Sequence, residues 1–268
     1  MHIFETAKPH HATIARYVQY YYLEINEANT YREFSCFPHY NNSISLYRSH
    51  SSDKKGTITY VANGSPLQIF TPVRQQVLTI KQMGPIHRVV LVFHPLGIQQ
   101  FYKNLAFTKL MDDYEFFAGD ELQQLFEAGN IHTITYLLDQ YLLKRFEYHE
   151  NKVLAQAIAY IHERAQTFSV ETLSEELAIS RRHINRLFQQ QLGVSVKKFQ
   201  EIVLFRQALE QKLFQNAEQN FTSLTYEMNL CDPSHLNKLF AKLTRIPPKQ
   251  FVNKGTHLGQ EDTFWHIN

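Results

Sequence analysis

Cysteine is almost absent, with only Cys36 and Cys231 in 268 residues. The two stand in unlike contexts and form no CxxC pair. A disulfide framework and a thiolate metal cluster are therefore excluded, and a reducing compartment is favoured. No window reaches the ~18 consecutive apolar residues of a membrane span. The N-terminus, MHIFETAKPHH, lacks the basic flank and apolar run of a secretory signal. A cytoplasmic protein with no membrane partner is the expectation. Catalytic signatures are missing as well: there is no glycine-rich phosphate loop, no GxSxG elbow and no HExxH helix. Histidine is plentiful, at 14 residues, but in no chelating pattern. His39, His50, His87 and His94 are isolated, and the adjacent His10 and His11 would point to opposite faces of a strand. Asp112-Asp113 reads as a loop or helix start rather than a catalytic dyad. No cofactor, no metal and no enzymatic activity are expected.

Net charge is only +2, but it is unevenly spread. Residues 1–150 carry 13 Lys and Arg against 14 Asp and Glu, residues 151–255 carry 14 against 9, and the end of the chain has two acids and no base. The basic segment is a modest footprint for a polyanion. Hydropathy divides the chain at the same place. Up to about residue 110, short runs rich in β-branched and aromatic residues predict strands at Ile44 to Tyr47, Thr57 to Val61, Leu67 to Phe70, Val77 to Ile80 and Arg88 to Phe93. From Gly119 the spacing becomes that of amphipathic helices, with Ile134, Leu137, Leu138 and Tyr141 on one stripe. The helix carrying that stripe is the expected dimer contact. The charged stretch Lys144 to Lys152 is the expected boundary, and beyond it the pattern is helical. The predicted fold class is α+β. Residues 1–148 form a β-barrel with helices, 149–256 form an all-α domain, and 257–268 are a tail. Tyr17, Tyr20, Tyr21 and Tyr22 are assigned to the core and rim of the barrel.

The strongest signal is an internal repeat. A shift of 52 residues superposes His183-Ile184-Asn185-Arg186-Leu187-Phe188 on His235-Leu236-Asn237-Lys238-Leu239-Phe240, and continues through Val194 with Ile246, Lys197 with Lys249 and Phe199 with Phe251. Upstream, at an offset of 51, Leu173 matches Leu224 and Leu177 matches Met228. Each copy reads as a helix, a tight turn and a second helix. In the first, Ser169 or Thr172 caps one helix and Ser180 the next, with Ile184, Leu187 and Phe188 facing inward. In the second, Asp232 is the cap and Leu236, Leu239 and Phe240 face inward. The outward stripes then carry Arg182, Asn185, Arg186 and Gln189 in one copy, and Ser234, Asn237 and Lys238 in the other. Arg can read guanine and Asn adenine through paired bonds in a major groove that admits one helix. Ser180, Arg181, Lys197, Lys198 and Lys249 are the expected phosphate contacts.

The segments LSEELAISRRHINRLFQQQLGVSVKKFQEIVLFRQAL (173–209) and LTYEMNLCDPSHLNKLFAKLTRIPPKQF (224–251) resemble the AraC/XylS family of bacterial transcriptional regulators. The resemblance implies two helix-turn-helix units joined by one long helix, here Lys197 to Phe214, and sequence-specific binding of double-stranded DNA. The second unit departs further from the family pattern. Thr225 stands for its usual Ala, Asn229-Leu230 for Gly-Phe, Lys238 for Arg, Arg245 for Gly, and Pro247-Pro248 for Ser-Pro; in the first unit Ser195-Val196 stands for Ser-Pro. The first unit is therefore expected to carry more of the specificity, and the second to grip phosphates. More weakly, FPHYNNSISLY (37–47) and VVLVFHPLG (89–97) resemble the cupin-like sensing domains that precede such units. A small-molecule effector, a homodimer and contact with RNA polymerase are the further expected partners. The competing readings are an enzyme on the barrel and an interaction module whose helical units do not bind DNA.

Overall fold

The computed structural model describes residues 2–53, 56–103, 105–215, 223, 225, 228 and 233–267. The first part is two facing sheets. Strands β1 (His2–Ala7), β2 (Val18–Asn26), β4 (Asn42–Tyr47), β7 (Leu67–Thr71) and β9 (Ile86–Phe93) form one sheet in the order β1-β2-β9-β4-β7. In the other sheet, β3 (Tyr31–Cys36), β8 (Leu78–Met83), β6 (Thr57–Tyr60) and β5 (His50–Ser52) lie in the order β3-β8-β6-β5. A short helix, α1 (Ala12–Ala15), leads into β2.

Helices α2 (Gly119–Glu127) and α3 (Ile131–Arg145) cover the outer face of the first sheet. Tyr21, Leu23, Val89, Leu91 and Phe93 face them, while Tyr20, Tyr22, Val90 and Val92 face the second sheet. Both faces of β2 and β9 are thus apolar. The stripe on α3, the helix expected to make a dimer contact, belongs to this core: Ile134, Leu138 and Tyr141 are buried against the chain's own sheet. An amphipathic stripe reports burial without saying against what, and a dimer contact on α3 would use its other face, where His132, Thr133 and Tyr136 are exposed. Asp139 on the same helix accepts the Tyr21 hydroxyl at 2.8 Å and the backbone N–H groups of His10 and His11, also at 2.8 Å.

Between the sheets, Arg88 is fully buried and paired with Glu24, 2.7 Å from Nε. Burial alone would raise the Glu24 carboxyl, but Arg88, His2 and Arg32 outweigh it and hold its pKa low.

The second part is helical: α4 (Lys152–Arg164), α5 (Val170–Glu176), α6 (Arg181–Leu192), α7 (Val196–Glu210) with a π-type turn over 211–215, α8 (Pro233–Thr244) and α9 (Pro248–Lys254). Side-chain caps start most of them. Asn151, Ser169, Ser180 and Ser195 each accept an N–H from three residues on. Helix α7 is buried nearly all round and packs against α4, α6 and α8.

The end of the chain, expected as a tail, folds back. Strands β10 (Thr256–His257) and β11 (Phe264–Ile267) form a hairpin, and β11 pairs with β3. This pairing extends the second sheet to β10-β11-β3-β8-β6-β5.

Candidate nucleic-acid interface

The first reading unit is built as the repeat implies. Helix α5 ends at Leu177, and the chain turns through Ala178 at φ 51°. The Ser174 hydroxyl donates to the Ile179 carbonyl at 2.6 Å and closes the turn. Ser180 then accepts from the His183 N–H at 3.2 Å and starts α6. Ile184 and Phe188 lock α6 into the helical core, and Leu187 is half-buried beside them. Along the other face Arg182, Arg186 and Gln189 are exposed.

Asn185 lies between these two faces. Its Nδ2 donates to the Arg181 carbonyl at 3.1 Å and its Oδ1 accepts the Val196 N–H at 3.2 Å. Here the side chain ties α6 to the start of α7. Arg186 contacts His183 Nδ1 at 3.0 Å, and Arg181 pairs with Glu171.

In the second unit, Leu236, Leu239 and Phe240 are buried, whereas Asn237 and Lys238 are exposed and Ser234 is half-exposed. The expected cap Asp232 and the turn Asn229-Leu230 lie outside the described residues. The two α-helical hairpins end alike. Gly193 follows α6 at φ 72°, and Arg245, its counterpart 52 residues on, follows α8 at φ 68°.

Among the expected phosphate contacts, Ser180, Arg181, Lys197 and Lys249 are exposed. Lys197 Nζ reaches Gln200 at 2.9 Å. Lys198 is half-buried, and desolvation first, then the nearby Lys242, lower its pKa. Glu201 lies between them and pairs with Lys242 at 2.7 Å. The first unit thus brings Arg182, Arg186 and Gln189 onto one open face. The second presents Lys238, the counterpart of Arg186, with half-exposed Ser234 as the counterpart of Arg182; Asn237, the counterpart of the tethered Asn185, is exposed there.

Sequence reasoning missed the contacts between the two parts of the chain. Phe37 and Val73, from the first part, lie in the same core as the helices. Gln75 Nε2 donates to the Gly193 carbonyl at 2.9 Å. Arg206, on α7, donates to the Pro38 carbonyl at 2.7 Å, to the Phe37 carbonyl at 3.0 Å and to Asp262 at 3.0 Å. A lone arginine on an otherwise apolar helix stripe was the available signal.

Comparison with known proteins fits this arrangement. A helix-turn-helix domain family matches residues 173–254. An uncharacterised HTH-type transcriptional regulator of Haemophilus influenzae is 24% identical over 170 residues, which is 62% of this chain and 52% of that protein. The chain spans about half the length of that curated relative. Among solved structures, ToxT from Vibrio cholerae superposes with a TM-score of 0.51 at 11% identity, over 93% of this chain and 98% of that one. An apo ToxT variant gives 0.50 at 7% identity, over 92% and 99%. These likenesses extend across both parts of the chain and concern the fold.

Proposed function

We propose that this chain, whose residues 173–254 match a helix-turn-helix domain family, is an AraC-type, sequence-specific DNA-binding transcriptional regulator acting in the cytoplasm. The observation that carries the reading is the pair of matched helices, α6 and α8. Both are anchored by buried apolar residues to one continuous core, and both turn a basic, amide-bearing stripe to solvent. Among the described residues no helix is long and apolar enough to cross a membrane, and no group of three or more His, Cys, Asp or Glu could hold a metal ion.

Base reading falls to Arg182, Arg186 and Gln189, with Asn185 once its tether to Val196 is released, and to Ser234, Asn237 and Lys238. Ser180, Arg181, Lys197, Lys198 and Lys249 hold phosphates. The test is selection from random double-stranded DNA followed by salt titration. A recurrent motif should emerge, and log affinity should fall with log salt by roughly 0.9 per phosphate neutralised. A slope near zero would leave only the interaction-module reading.

The first part of the chain is proposed as an effector-sensing and dimerising domain without catalysis of its own. A cavity of about 370 Å³ lies between its sheets, lined by Ser45, Tyr47, Ile58, Ile69, Thr71 and Ile80 among others. Its largely apolar wall, with a few hydroxyls and the carboxylates of Asp53 and Asp112, suits a small organic molecule. A thermal-shift screen, with DNA titration in the presence of each hit, tests the sensor role. The homodimer must use a surface other than the buried α3 stripe, and sedimentation at micromolar concentration tests it. Contact with RNA polymerase, the remaining proposed partner, is tested by transcription in vitro from a selected operator.

A further inference from the structure

The last residues of the chain run directly from the second reading unit to the first sheet-forming domain. Helix α9 closes that unit, and β10 begins two residues later. The hairpin has four independent holds. Strand β11 pairs with β3 at His266 with Ser35 and Ile267 with Phe34. Trp265 stacks on Phe34 with ring centroids 4.9 Å apart and lies 5.2 Å from the buried Arg88 guanidinium. His266 Nε2 donates to the Phe251 carbonyl on α9 at 2.7 Å, and Phe264 packs on the Phe251 ring at 5.4 Å. Asp262 carries the fourth hold. Its Oδ1 accepts from Arg206 of the linking helix at 3.0 Å, and its Oδ2 accepts from His39 Nε2 at 2.8 Å. The proton is on Nε2 because His39 Nδ1 already accepts the Asn41 N–H at 3.0 Å.

Four segments therefore meet at Asp262: the loop after β3 and helix α7 at its carboxylate, the hairpin that carries it, and β2 through the Tyr20 hydroxyl, which donates to the Asp262 backbone carbonyl at 3.2 Å. Helix α9 is held from the same side by Phe37, whose ring meets that of Phe251 at 4.4 Å. Nothing comparable ties α6, whose only polar links to the first domain are Gln75 to Gly193 and a long contact, 3.5 Å, from Gln99 to the Gln191 carbonyl among the described residues.

We propose that residues 256–267 are a strap that fixes the second reading unit against the N-terminal domain, and that Asp262 is the positioning residue that sets the orientation of α8 for DNA. The proposal rests on the reading of the chain as a DNA-binding regulator and specifies how its two domains are coupled. A change in the N-terminal domain reaches the second unit through the strap, while the first unit is affected much less. Two units on one chain bind as a linked pair, so misorienting one forfeits the gain from linkage and leaves the other's contacts intact.

The experiment uses full-length protein and a selected operator, with versions in which either half-site is scrambled. Wild type, Asp262→Asn, Asp262→Glu and Trp265→Ala are compared, with hydrogen exchange on α9 and β3 measured in parallel. Asp262→Asn should lose about tenfold or more on the intact operator and become indifferent to scrambling of the second half-site. It should keep its discrimination at the first half-site, with faster exchange in α9. Asp262→Glu should recover part of the loss. A variant that discriminates at both half-sites as wild type does, with unchanged exchange in α9, overturns the strap. Equal loss at both half-sites also overturns it, since it would indicate general destabilisation. If wild type selects no DNA at all, the DNA reading itself fails. Exchange in α9 then judges the strap separately: unaltered protection in Asp262→Asn refutes the hold as well.

Discussion

Arg245 occupies the left-handed region at φ 68°, where its counterpart in the first repeat is Gly193 at φ 72°. The backbone solves the same problem at the end of both reading helices, reversing direction while its N–H still bonds the helix four residues back. Arg245 bonds the Ala241 carbonyl at 2.9 Å and Gly193 the Gln189 carbonyl at 3.2 Å. A Cβ in this conformation costs roughly 1–2 kcal/mol. Arg245→Gly should therefore raise stability by about 1 kcal/mol, read as a higher midpoint in urea with an unchanged slope. Asn185 and Arg186 should separate in the same assay. Arg186 is exposed, so Arg186→Ala should leave the midpoint alone and cost about 1–3 kcal/mol of specific DNA binding at one base position. Asn185 satisfies the Val196 N–H at the start of α7, so Asn185→Ala should lower stability by about 1 kcal/mol whatever it does to DNA. Unchanged stability in Asn185→Ala would show that the tether to α7 contributes nothing in solution.

At the scale of elements, the repeat was legible because its information is local. Ser180, the Ile184-Leu187-Phe188 stripe and Gly193 lie within one helix and its caps, so spacing alone located α6 and its exposed face. The five strands expected from Ile44 to Phe93 were found for the same reason. By contrast, β1, β2 and β3 gave no clear alternation. The run VQYYYLEIN in β2 is apolar on both faces because α3 covers one side and the second sheet the other. Strand β11 was invisible for a different reason: its partner β3 lies more than 200 residues earlier, and a four-residue strand carries no period of its own. Its seat is nevertheless exacting. A Cβ on Gly255 would come within 1.6 Å of the Phe264 ring. Since the Gly255 backbone is ordinary, at φ −82°, the ring's position is what demands glycine. Gly255→Ala should cost about 1–3 kcal/mol and expose Trp265, seen as a red shift and quenching of its fluorescence; it is the chain's one tryptophan. An unshifted emission spectrum would mean that the hairpin accommodates the methyl without moving.

For the whole molecule, the consequence is that the two parts share one hydrophobic core and one buried charge cluster. Phe37 and Val73 pack among the helices, and Arg206 hangs from backbone carbonyls of the first domain. Excising residues 150–256 would uncover the Phe251 ring, which packs on Phe37, Phe264 and His266, and leave the Arg206 fork without acceptors, so such a fragment should be less stable than the same helices in the full chain. The shared core also fixes a pH response. Burial first, and then the neighbouring Arg206, lower the His39 pKa from 6.5 to about 3, even though Asp262 opposes the shift. His162 is lowered to about 4 by burial and His94. His87 is lowered to about 4 by burial, Arg48 and His50. Each of these groups binds a proton more readily in the unfolded chain, so stability rises with pH through the interval between its two pKa values. Acidification from pH 6.5 should therefore erode stability, with His39 alone contributing about 2 kcal/mol by pH 5. Asp262 acts in a lower window. Burial would raise its carboxyl, but Arg206 and His39 prevail and hold it well below 3.8. Its contribution is complete above that value and is lost as pH falls beneath it. Urea midpoints measured from pH 7.5 to pH 2 should decline through the histidine window and then more steeply below about pH 4, where the Asp262 contribution begins to be lost. His39→Gln, which keeps a donor for Asp262 but cannot be protonated, should flatten the upper stage and leave the lower one in place. An unaltered upper stage in that variant would assign the response to His87 and His162, and would place no pH sensitivity at the junction of the two domains.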